Sequence, residues 1–351
     1  MSNRIIRIAV DAMGGDNFPW VLIEGSINAL HSCDDVEVTL VGDKKVVEDS
    51  REQIIRSEKA KKSESKHGSP VLDRLHIVHA DEVIGMSEPP ARAIRSKKNS
   101  SIVVANKLCR SKDVEAVISA GNTGAAMASS LLYMGRLTGV SRPAIMALFP
   151  SKKNYVAVLD LGANTDCKPE HLYQFGVMAS IYTFHVLGYK NPRVGLLSIG
   201  EERSKGNELT DGTYAMFEKS DLNFIGNIEG RDIFEGVADV IVCDGFVGNV
   251  LLKFGESIFG FVTHSLRKSV SDSLLLKIGA YLIKPAFFKV KEEMNVEEYG
   301  GAPLLGVNGV SIICHGNSTP IAIKNAIKVA RQLVLEKVNE KIENEFSRKT
   351  V

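Results

Sequence analysis

The stretch Val114-Glu-Ala-Val-Ile-Ser-Ala-Gly-Asn-Thr-Gly124 joins a β-branched apolar run to a turn that contains glycine and asparagine. No charged residue occurs from Ala116 to Gly135, which is the length of a membrane span. The middle of that segment, Ser119–Gly124, is polar and flexible, and in lipid its backbone groups would lack hydrogen-bond partners. The stretch therefore predicts a strand, a turn and a buried helix.

Short β-branched runs of this kind recur along the whole chain, with helical patterns between them. The runs are Ile5–Val10, Val36–Val41, Leu75–Val78, Val114–Ser119, Ala144–Phe149, Tyr155–Leu161, Arg193–Ile199, Leu222–Ile225, Val240–Cys243 and Val310–Cys314. Several are apolar at every position, as expected for central strands of a parallel sheet that helices cover on both faces. The alternation of strand and helix predicts a doubly wound, mostly parallel α/β sheet in a single domain over residues 1–345.

Two segments depart from this alternation. Lys59–Pro70 is rich in lysine, serine and glutamate and predicts a surface insertion. Residues 250–290 predict a long helical excursion with an apolar face and local basic charge. That excursion is equally well explained as a helical pair packed within the protein and as a surface for a membrane, an acidic partner or a second copy of the chain.

Composition excludes several classes of protein. The chain has 351 residues with 44% apolar and 24% charged residues, and its net charge of +1 argues against binding nucleic acid or another polyanion. Its five cysteines are scattered without C-x-x-C spacing, so neither a disulfide framework nor a zinc site is predicted. Cysteines of this kind and an N-terminus without a signal-peptide core favour a cytoplasmic protein.

The ends of the predicted strands are the most unusual part of the sequence. Their loops are Asp11-Ala-Met-Gly-Gly-Asp16, Ser119-Ala-Gly-Asn-Thr-Gly124, Asp160-Leu-Gly-Ala-Asn-Thr-Asp166, Gly200-Glu-Glu-Arg-Ser-Lys-Gly-Asn207, Asp244-Gly-Phe-Val-Gly-Asn249 and Cys314-His-Gly-Asn-Ser318. Any one of them is explained equally well as a tight turn. Together, at the ligand-binding edge of a parallel sheet, they predict an anion site built from backbone N–H groups and helix N-termini.

Familiar motifs do not explain these loops. The chain has no G-x-x-x-x-G-K-[ST] sequence, no G-x-G-x-x-G after its first strand and no G-x-S-x-G elbow. Lys205, among glycines, is a candidate phosphate ligand or else a surface lysine. Asn249 is a candidate oxyanion donor or else a helix cap. Cys167 and the neighbours Cys314 and His315 are weaker candidates for a nucleophile, and the loop aspartates lack a recognised metal-binding spacing.

At these loops the sequence resembles one bacterial family, the acyltransferases that move an acyl group from acyl carrier protein (ACP) to phosphate in phospholipid synthesis. The motifs that carry the resemblance are Val10-Asp-Ala-Met-Gly-Gly-Asp16, Ile118-Ser-Ala-Gly-Asn-Thr-Gly124, Lys168-Pro-Glu-His171, Lys205-Gly-Asn-Glu-Leu-Thr210, Phe224-Ile-Gly-Asn227, Asp244-Gly-Phe-Val-Gly-Asn249 and Tyr299-Gly-Gly-Ala302. They cover nearly the whole chain, and only the insertion at 59–70 departs from the family pattern.

The resemblance implies a fold like that of isocitrate and isopropylmalate dehydrogenases and phosphotransacetylases. It also implies a homodimer, peripheral attachment to the membrane, and transfer of the product to a glycerol-3-phosphate acyltransferase. The family's important lysine and asparagine fall on Lys205 and Asn249. Further predicted substrate-binding residues are Asp11, Gly14, Gly15, Gly121, Asn122, Thr123, Gly124, Asn164, Lys168, Gly206, Asn207, Asp244, Gly245 and Gly248.

A chemical hypothesis follows for these residues. Phosphate attacks the thioester directly while Lys205 and loop amides around Gly121–Gly124 hold it and Asn249 stabilises the oxyanion, so no metal or cofactor is expected. Three alternatives stay open at this point. They are an acyl-CoA phosphotransacetylase, a dehydrogenase that uses NAD and Mg²⁺, and a non-catalytic scaffold for ACP or membrane.

Overall fold

The computed structural model describes residues 4–61, 71–271, 274–293 and 300–348. Its strands are β1 (Ile6–Asp11), β2 (Val36–Gly42), β3 (Leu75–His79), β4 (Ala116–Ser119), β5 (Ala144–Pro150), β6 (Tyr155–Leu159), β7 (Arg193–Leu197), β8 (Asn223–Ile228), β9 (Val240–Val242), β10 (Ala302–Leu305) and β11 (Val310–Ile313). All ten predicted strands are present, with their ends shifted by a few residues.

The helices alternate with the strands as predicted. They are α1 (Trp20–Leu30), α2 (Lys44–Lys61), α3 (Pro90–Ser96), α4 (Ser101–Arg110), α5 (Thr123–Ser129), α6 (Pro169–His185), α7 (Glu208–Glu218), α8 (Asp232–Glu235), α9 (Gly245–Ser271), α10 (Leu274–Glu293), α11 (Pro320–Leu335) and α12 (Val338–Arg348). A π-helical turn, Ser130–Met134, continues α5. Of the predicted insertion, Lys59–Lys61 end α2, and residues 62–70 lie outside the described residues.

The chain divides into two compact units. The first comprises residues 1–146, 180–190 and 297–351, and the second comprises residues 147–179 and 191–296. Two of the four boundaries between the units, at 146/147 and 179/180, fall within β5 and within α6. The single domain expected over 1–345 stays a prediction, and each unit is described by itself.

In the first unit the strand order is β3-β2-β1-β4-β11-β10-β5. Strands β3 to β11 in this order are parallel, and β10 is antiparallel to both β11 and β5. Strand β10 was not predicted, because Ala302-Pro-Leu-Leu305 is short and contains a proline, which argues against a central strand. Helices α1 and α11 pack so closely that an ideal Cβ on Gly25 would lie 2.6 Å from Ile323 Cβ.

In the second unit the strand order is β6-β9-β7-β8, and all three pairings are parallel. The three residues of β9 have no exposed surface, which is the burial expected of a strand covered on both faces. The doubly wound, mostly parallel α/β fold predicted from the sequence is therefore confirmed.

Two long helices, α9 and α10, account for the predicted excursion near 250–290. Helix α9 begins at Gly245, earlier than expected, and contacts α10. Both expose large apolar side chains: Phe254 is 63% exposed, Phe261 70% and Tyr281 75%. By length and composition alone, Gly245–Val270 would be long and apolar enough to cross a membrane.

Candidate functional site

Three loops meet at one edge of the sheet in the first unit. Strand β4 lies between β1 and β11 and is parallel to both, so the loops that follow these strands leave the sheet on the same side. We call these loops, residues 11–16, 119–124 and 314–318, the first loop cluster. The sequence predicted this arrangement, because all three loops follow apolar runs.

Asp11 ties two of the loops together. Its carboxylate accepts a hydrogen bond from Ser119 Oγ at 2.7 Å and another from the backbone N–H of Met13 at 3.3 Å. Burial raises the pKa of the Asp11 carboxyl, and hydrogen bonds from Ser101, Ser119 and Met13 act in the opposite direction. With only 3% of its surface exposed, Asp11 organises the loops from inside. The contribution of Ser101, which lies at the start of α4, was not predicted.

Glycine allows the close approach of the loop backbones. An ideal Cβ on Gly14 would lie 2.7 Å from the backbone nitrogen of Gly121. Gly15 has a φ of +95°, and a Cβ there would lie 3.0 Å from the carbonyl oxygen of Gly316. The backbone N–H of Asp16 donates to that same carbonyl at 2.7 Å. These predicted glycines therefore hold the three loops in contact, whatever else they bind.

Asn122 has a structural role that its sequence position did not reveal. Its Oδ1 accepts from the backbone N–H of Ala125 and caps α5. Its Nδ2 donates to the carbonyl oxygens of Gly85, Met86 and Glu88, at 3.4, 2.9 and 3.0 Å. The side chain is thus committed to the protein. A ligand contact at Asn122, Thr123 or Gly124 would use backbone N–H groups at the start of α5.

A second group of loops meets at one edge of the sheet in the second unit. Strand β9 lies between β6 and β7, so loops 160–164, 198–207 and 243–249 leave the sheet on the same side. We call them the second loop cluster. It contains Lys205 and Asn249, the two predicted catalytic residues, together with six of the other predicted site residues, Asn164, Gly206, Asn207, Asp244, Gly245 and Gly248.

Asp160 organises the second loop cluster as Asp11 does the first. The fully buried carboxylate accepts from the backbone N–H groups of Ala163 and Asn164, at 3.0 and 2.6 Å, and from Asn164 Nδ2 at 2.9 Å. The carbonyl of Asn164 in turn accepts from the backbone N–H of Gly245 at 2.7 Å. Asn164 is therefore a link between Asp160 and the first residue of α9.

Helix α9 starts against this loop without space for side chains. An ideal Cβ on Gly248 would lie 1.9 Å from the carbonyl oxygen of Asp160, and one on Gly245 would lie 2.8 Å from Asp160 Oδ2. Asp244 caps the helix, because its Oδ1 accepts from the backbone N–H groups of Phe246 and Val247 at 2.9 and 3.0 Å.

Asn249 therefore does not cap α9, although the sequence left that role open. It lies in the second turn, is exposed, and its side chain makes no hydrogen bond to another residue that the structure describes. Its Cβ and Oδ1 lie 3.3 and 3.6 Å from the ideal Cβ position of Gly162, whose φ is +118°. The side chain thus stands beside a glycine with its amide available to a ligand.

The side chain of Lys205 also has no described partner. Its Cγ lies 2.8 Å from the ideal Cβ position of Gly200, so its stem runs over that glycine. Nearby, Arg203 forms an ion pair with Asp211. Arg231 forms ion pairs with Glu201 and Glu229. Among the described residues Lys205 Nζ has no such partner. Its ammonium group is therefore available to an anion.

The backbone around Lys205 is fixed by the start of α7. Gly206 has a φ of +120°, and an ideal Cβ there would lie 2.1 Å from Thr210 Oγ1. Asn207 Oδ1 accepts from the backbone N–H of Thr210 at 3.0 Å, and Thr210 Oγ1 accepts from the backbone N–H of Asn207 at 2.8 Å.

Lys168, another predicted site residue, is exposed, and its backbone N–H donates to His171 Nδ1 at 3.1 Å.

The cysteine alternatives receive no support from the geometry. Cys314 is 3% exposed, and the ring of His315 contacts Asn317 Oδ1 at 2.6 Å. Cys167 Sγ donates to the carbonyl oxygen of Asn164 at 3.4 Å. In the part of the chain that the structure describes, no group of three His, Cys, Asp or Glu side chains is arranged to hold a metal ion.

The chain is similar to known proteins over most of its length. The family model described as "Fatty acid synthesis protein" matches residues 6–341. A phosphate acyltransferase of Pelotomaculum thermopropionicum is 49% identical over 337 residues, covering 96% of this chain and 94% of the relative. One of Geobacter sulfurreducens is 47% identical over 346 residues, covering 97% of this chain and 96% of the relative.

Solved structures agree on the fold. A phosphotransacetylase from Streptococcus pyogenes matches with a TM-score of 0.58 at 15% identity, covering 94% of each chain. The EutD phosphotransacetylase from Staphylococcus aureus matches with a TM-score of 0.55 at 14% identity, also covering 94% of each chain. At such low identity these structures bear on the architecture alone.

Proposed function

Since the chain belongs to the phosphate acyltransferases of the fatty acid synthesis protein family, we propose that its acyl donor is the thioester of acyl-ACP and its product an acyl phosphate. The family membership itself gives acyl transfer with phosphate. The identity of the donor, the mechanism and the catalytic residues are the further content of the proposal.

The proposed reaction is a direct displacement. An oxygen of inorganic phosphate attacks the thioester carbon, a tetrahedral oxyanion forms, and the carbon–sulfur bond breaks to release the ACP thiolate. The second pKa of inorganic phosphate is ~7, somewhat above the value of about 6 for a phosphate monoester, so the dianion is present at neutral pH without a strong base. A thiol pKa of about 8.5 makes the thiolate an adequate leaving group. The protein then has to supply positioning and stabilisation of charge.

The observation that carries the assignment is that Lys205 Nζ and the Asn249 amide, both in the second loop cluster, have no described partner. Lys205 Nζ lacks an ion-pair partner among the described residues, whereas the neighbouring arginines have one. The Asn249 amide is free of the capping role, which Asp244 performs. We assign Lys205 to binding phosphate and Asn249 to donating a hydrogen bond to the oxyanion.

The test is mass detection of acyl phosphate made from acyl-ACP and phosphate, with a chelator present. Lys205→Ala and Asn249→Ala should each lower the rate roughly tenfold to a thousandfold, as removal of an oxyanion donor does elsewhere. The matched control is Lys219→Ala, which removes an exposed lysine at the end of α7 and should leave the rate near wild type. Near-normal turnover in both test variants rejects the assignment.

The first loop cluster is tested separately. An ideal Cβ on Gly121 would lie 3.3 Å from Gly14 Cα, so Gly121→Ala should push the two loops apart. If the amides around Gly121–Gly124 bind phosphate, this variant should raise the KM for phosphate more than it lowers kcat. An unchanged KM for phosphate removes that loop from the proposal and leaves the roles of Lys205 and Asn249 standing.

The choice of donor separates the proposal from its nearest rival. Acyl-CoA and acyl-ACP of the same chain length are offered with phosphate, and we expect acyl phosphate from acyl-ACP at the higher kcat/KM. Preference for acyl-CoA would make the protein a phosphotransacetylase. Reduction of a nicotinamide cofactor by a hydroxy acid would instead support the dehydrogenase alternative, and ACP binding without thioester consumption would support a scaffold.

The exposed apolar faces of α9 and α10 support the remaining parts of the proposal, which are a homodimer and peripheral contact with a membrane that carries the next acyltransferase. The first turn of α9 is packed against Asp160, so this end of the helix belongs to the folded unit. Lys253, Arg267 and Lys268 add positive charge along the same helix. Such a helix suits an anionic lipid surface better than a membrane crossing.

A further inference from the structure

A cavity of about 830 Å³ opens in the first unit, away from its loop cluster. Residues at the amino-terminal ends of β1, β4 and β11, such as Arg7, Glu115 and Val310, form one part of its wall. The C-terminal ends of α4 and α11 form another part. The first loop cluster follows the carboxyl ends of the same strands. The cavity is therefore at the opposite edge of this sheet, and its volume is in the usual range for small-molecule sites.

Basic side chains dominate the charge of the cavity. The lining contains the basic residues Arg4, Arg7, Arg110, Lys112 and Lys337 and the acidic residues Glu115 and Glu340. Glu115 is shared, with Arg7 at 3.1 Å and Arg4 at 3.8 Å, and Lys337 pairs with Glu340 at 3.3 Å. Arg110 and Lys112 form no ion pair with any residue that the structure describes. The cavity therefore keeps an excess of positive charge.

Both lysines of the lining adopt an unusual backbone conformation. Lys112 has a φ of +64° and Lys337 a φ of +52°, and among the described residues they are the only non-glycine residues with positive φ. Each follows the C-terminal end of a helix, α4 or α11, where glycine or asparagine is usual. Attraction to the helix dipole favours a cation near each end. The helix dipole does not require that cation at the positive-φ position, where any side chain is disfavoured. The dipole also does not explain why Arg4 and Arg7 lie in the same cavity.

Aliphatic and other apolar side chains make up much of the remaining lining, which also includes Asn308 and Asn339. Val114, Leu132, Met134, Leu333 and Val334 contribute to it. Leu132 is 57% exposed, so an apolar side chain stands in solvent beside the basic groups. Tyr133 is the only aromatic residue in the lining, and Lys107 lies 5.6 Å from its ring centroid. This composition suits an alkyl chain better than a nucleotide base, which would need open aromatic faces for stacking.

We infer that this cavity is a binding site for a small anionic amphiphile, a phosphate monoester or carboxylate carried on an alkyl chain. The anionic group meets the guanidinium group of Arg110 and the ammonium group of Lys112, Lys337 adds positive charge beside them while it is paired with Glu340, and the chain lies on the aliphatic part of the lining. The site is separate from the residues assigned to acyl transfer. Its occupancy is a binding property that holds whether or not the proposed reaction is right.

The test is calorimetric titration of the full chain with decyl phosphate and decanoate, both below the concentrations at which they form micelles. Lys112→Gly and Lys337→Gly remove the charge and place the residue that the backbone conformation favours, so both variants should remain folded. We expect the double variant to bind decyl phosphate at least tenfold more weakly than wild type. Lys112→Arg, which keeps the charge, should bind within about threefold of wild type.

Two comparisons locate the binding. Lys205→Ala should keep the wild-type affinity for decyl phosphate, and AMP should bind at least tenfold more weakly than decyl phosphate. Comparison of decyl phosphate with decanoate shows which anionic group the site prefers. Equal affinity of wild type and the double glycine variant, or loss of binding only in Lys205→Ala, overturns the proposal. Tighter binding of AMP than of decyl phosphate would also overturn it.

Discussion

Asn249 occupies space that Gly162 leaves empty: its Cβ is 3.3 Å from the position that a Cβ on Gly162 would take. Gly162→Ala should therefore displace the Asn249 side chain and strain the backbone, whose φ is +118°. We expect about 1–3 kcal/mol of lost stability and at least about a tenfold loss of turnover. Urea unfolding and the acyl phosphate assay measure the two effects.

The control for Gly162→Ala is Gly188→Ala. Gly188 also has positive φ, +78°, but no other atom lies within 4 Å of its ideal Cβ position. That variant should lose a similar amount of stability and keep its turnover. Equal loss of turnover in both variants would show that backbone strain, and not displacement of Asn249, explains the effect.

Gly206→Ala should disturb the turn that carries Lys205. A Cβ there would fall 2.1 Å from Thr210 Oγ1, which accepts a hydrogen bond from the backbone of Asn207 at the start of α7. Loss of this cap together with the strain at φ +120° should cost about 2–4 kcal/mol. We expect the KM for phosphate to rise as well. Gly230→Ala, where the ideal Cβ meets no other atom, should change neither quantity.

The Arg193–Asp239 pair should make stability depend on pH. Arg193 Nη2 and Nε lie 2.8 and 3.0 Å from the Asp239 carboxylate oxygens. Burial alone would raise the pKa of Asp239. The hydrogen bonds and charge of Arg193 lower that pKa by more than burial raises it, so the net shift is downward. A lowered folded-state pKa means that the stabilisation is present above the unfolded pKa of about 4 and is lost as pH falls.

Asp239→Asn should consequently destabilise the protein by about 1–3 kcal/mol at pH 7 and by less near pH 3.5. Urea unfolding at both pH values measures this difference. Asp221→Asn changes an exposed aspartate in the same unit and should stay within about 0.5 kcal/mol of wild type at each pH. A cost for Asp239→Asn that does not vary with pH would contradict the assigned role of the charge.

Phe261→Glu should reduce flotation with anionic liposomes, because it places a charge at a 70% exposed position on the apolar face of α9. Gly260→Glu adds the same charge about 100° around the helix, in open space, and should reduce flotation less. An unchanged membrane fraction combined with loss of the dimer in gel filtration would assign this face to a second copy of the chain.

Most of the fold could be predicted from the sequence because burial on both faces leaves a clear signal. Runs such as Val240–Val242 are apolar at every position, and the structure buries them completely. Strand β10 gave no such signal, since it is short, contains Pro303 and pairs antiparallel not only with the next strand, β11, but also with β5, which is distant in sequence. Its position depends on tertiary context that local patterns do not contain.

The candidate site was predictable at the level of loops and less so at the level of side chains. Strand ends in a parallel sheet lie together, so residues such as Lys205 and Asn249 could be placed at one edge from their order along the chain. The partners of a polar side chain depend on distant residues. Nothing local indicated that Ser119 would donate to Asp11, or that Asn122 would donate to the carbonyl oxygens of residues 85, 86 and 88.

The four hydrogen bonds of Asn122 make its two side-chain ends chemically unequal. Asparagine and aspartate are normally interchangeable as helix caps, because only an acceptor oxygen is needed. Here the second end faces three carbonyl oxygens, from Gly85, Met86 and Glu88. An aspartate would still cap α5 but would turn a carboxylate oxygen toward those carbonyls. Asn122→Asp would thus repel residues 85–88, which the asparagine amide group holds. The difference between an amide nitrogen and a carboxylate oxygen therefore decides whether these residues stay joined to the start of α5.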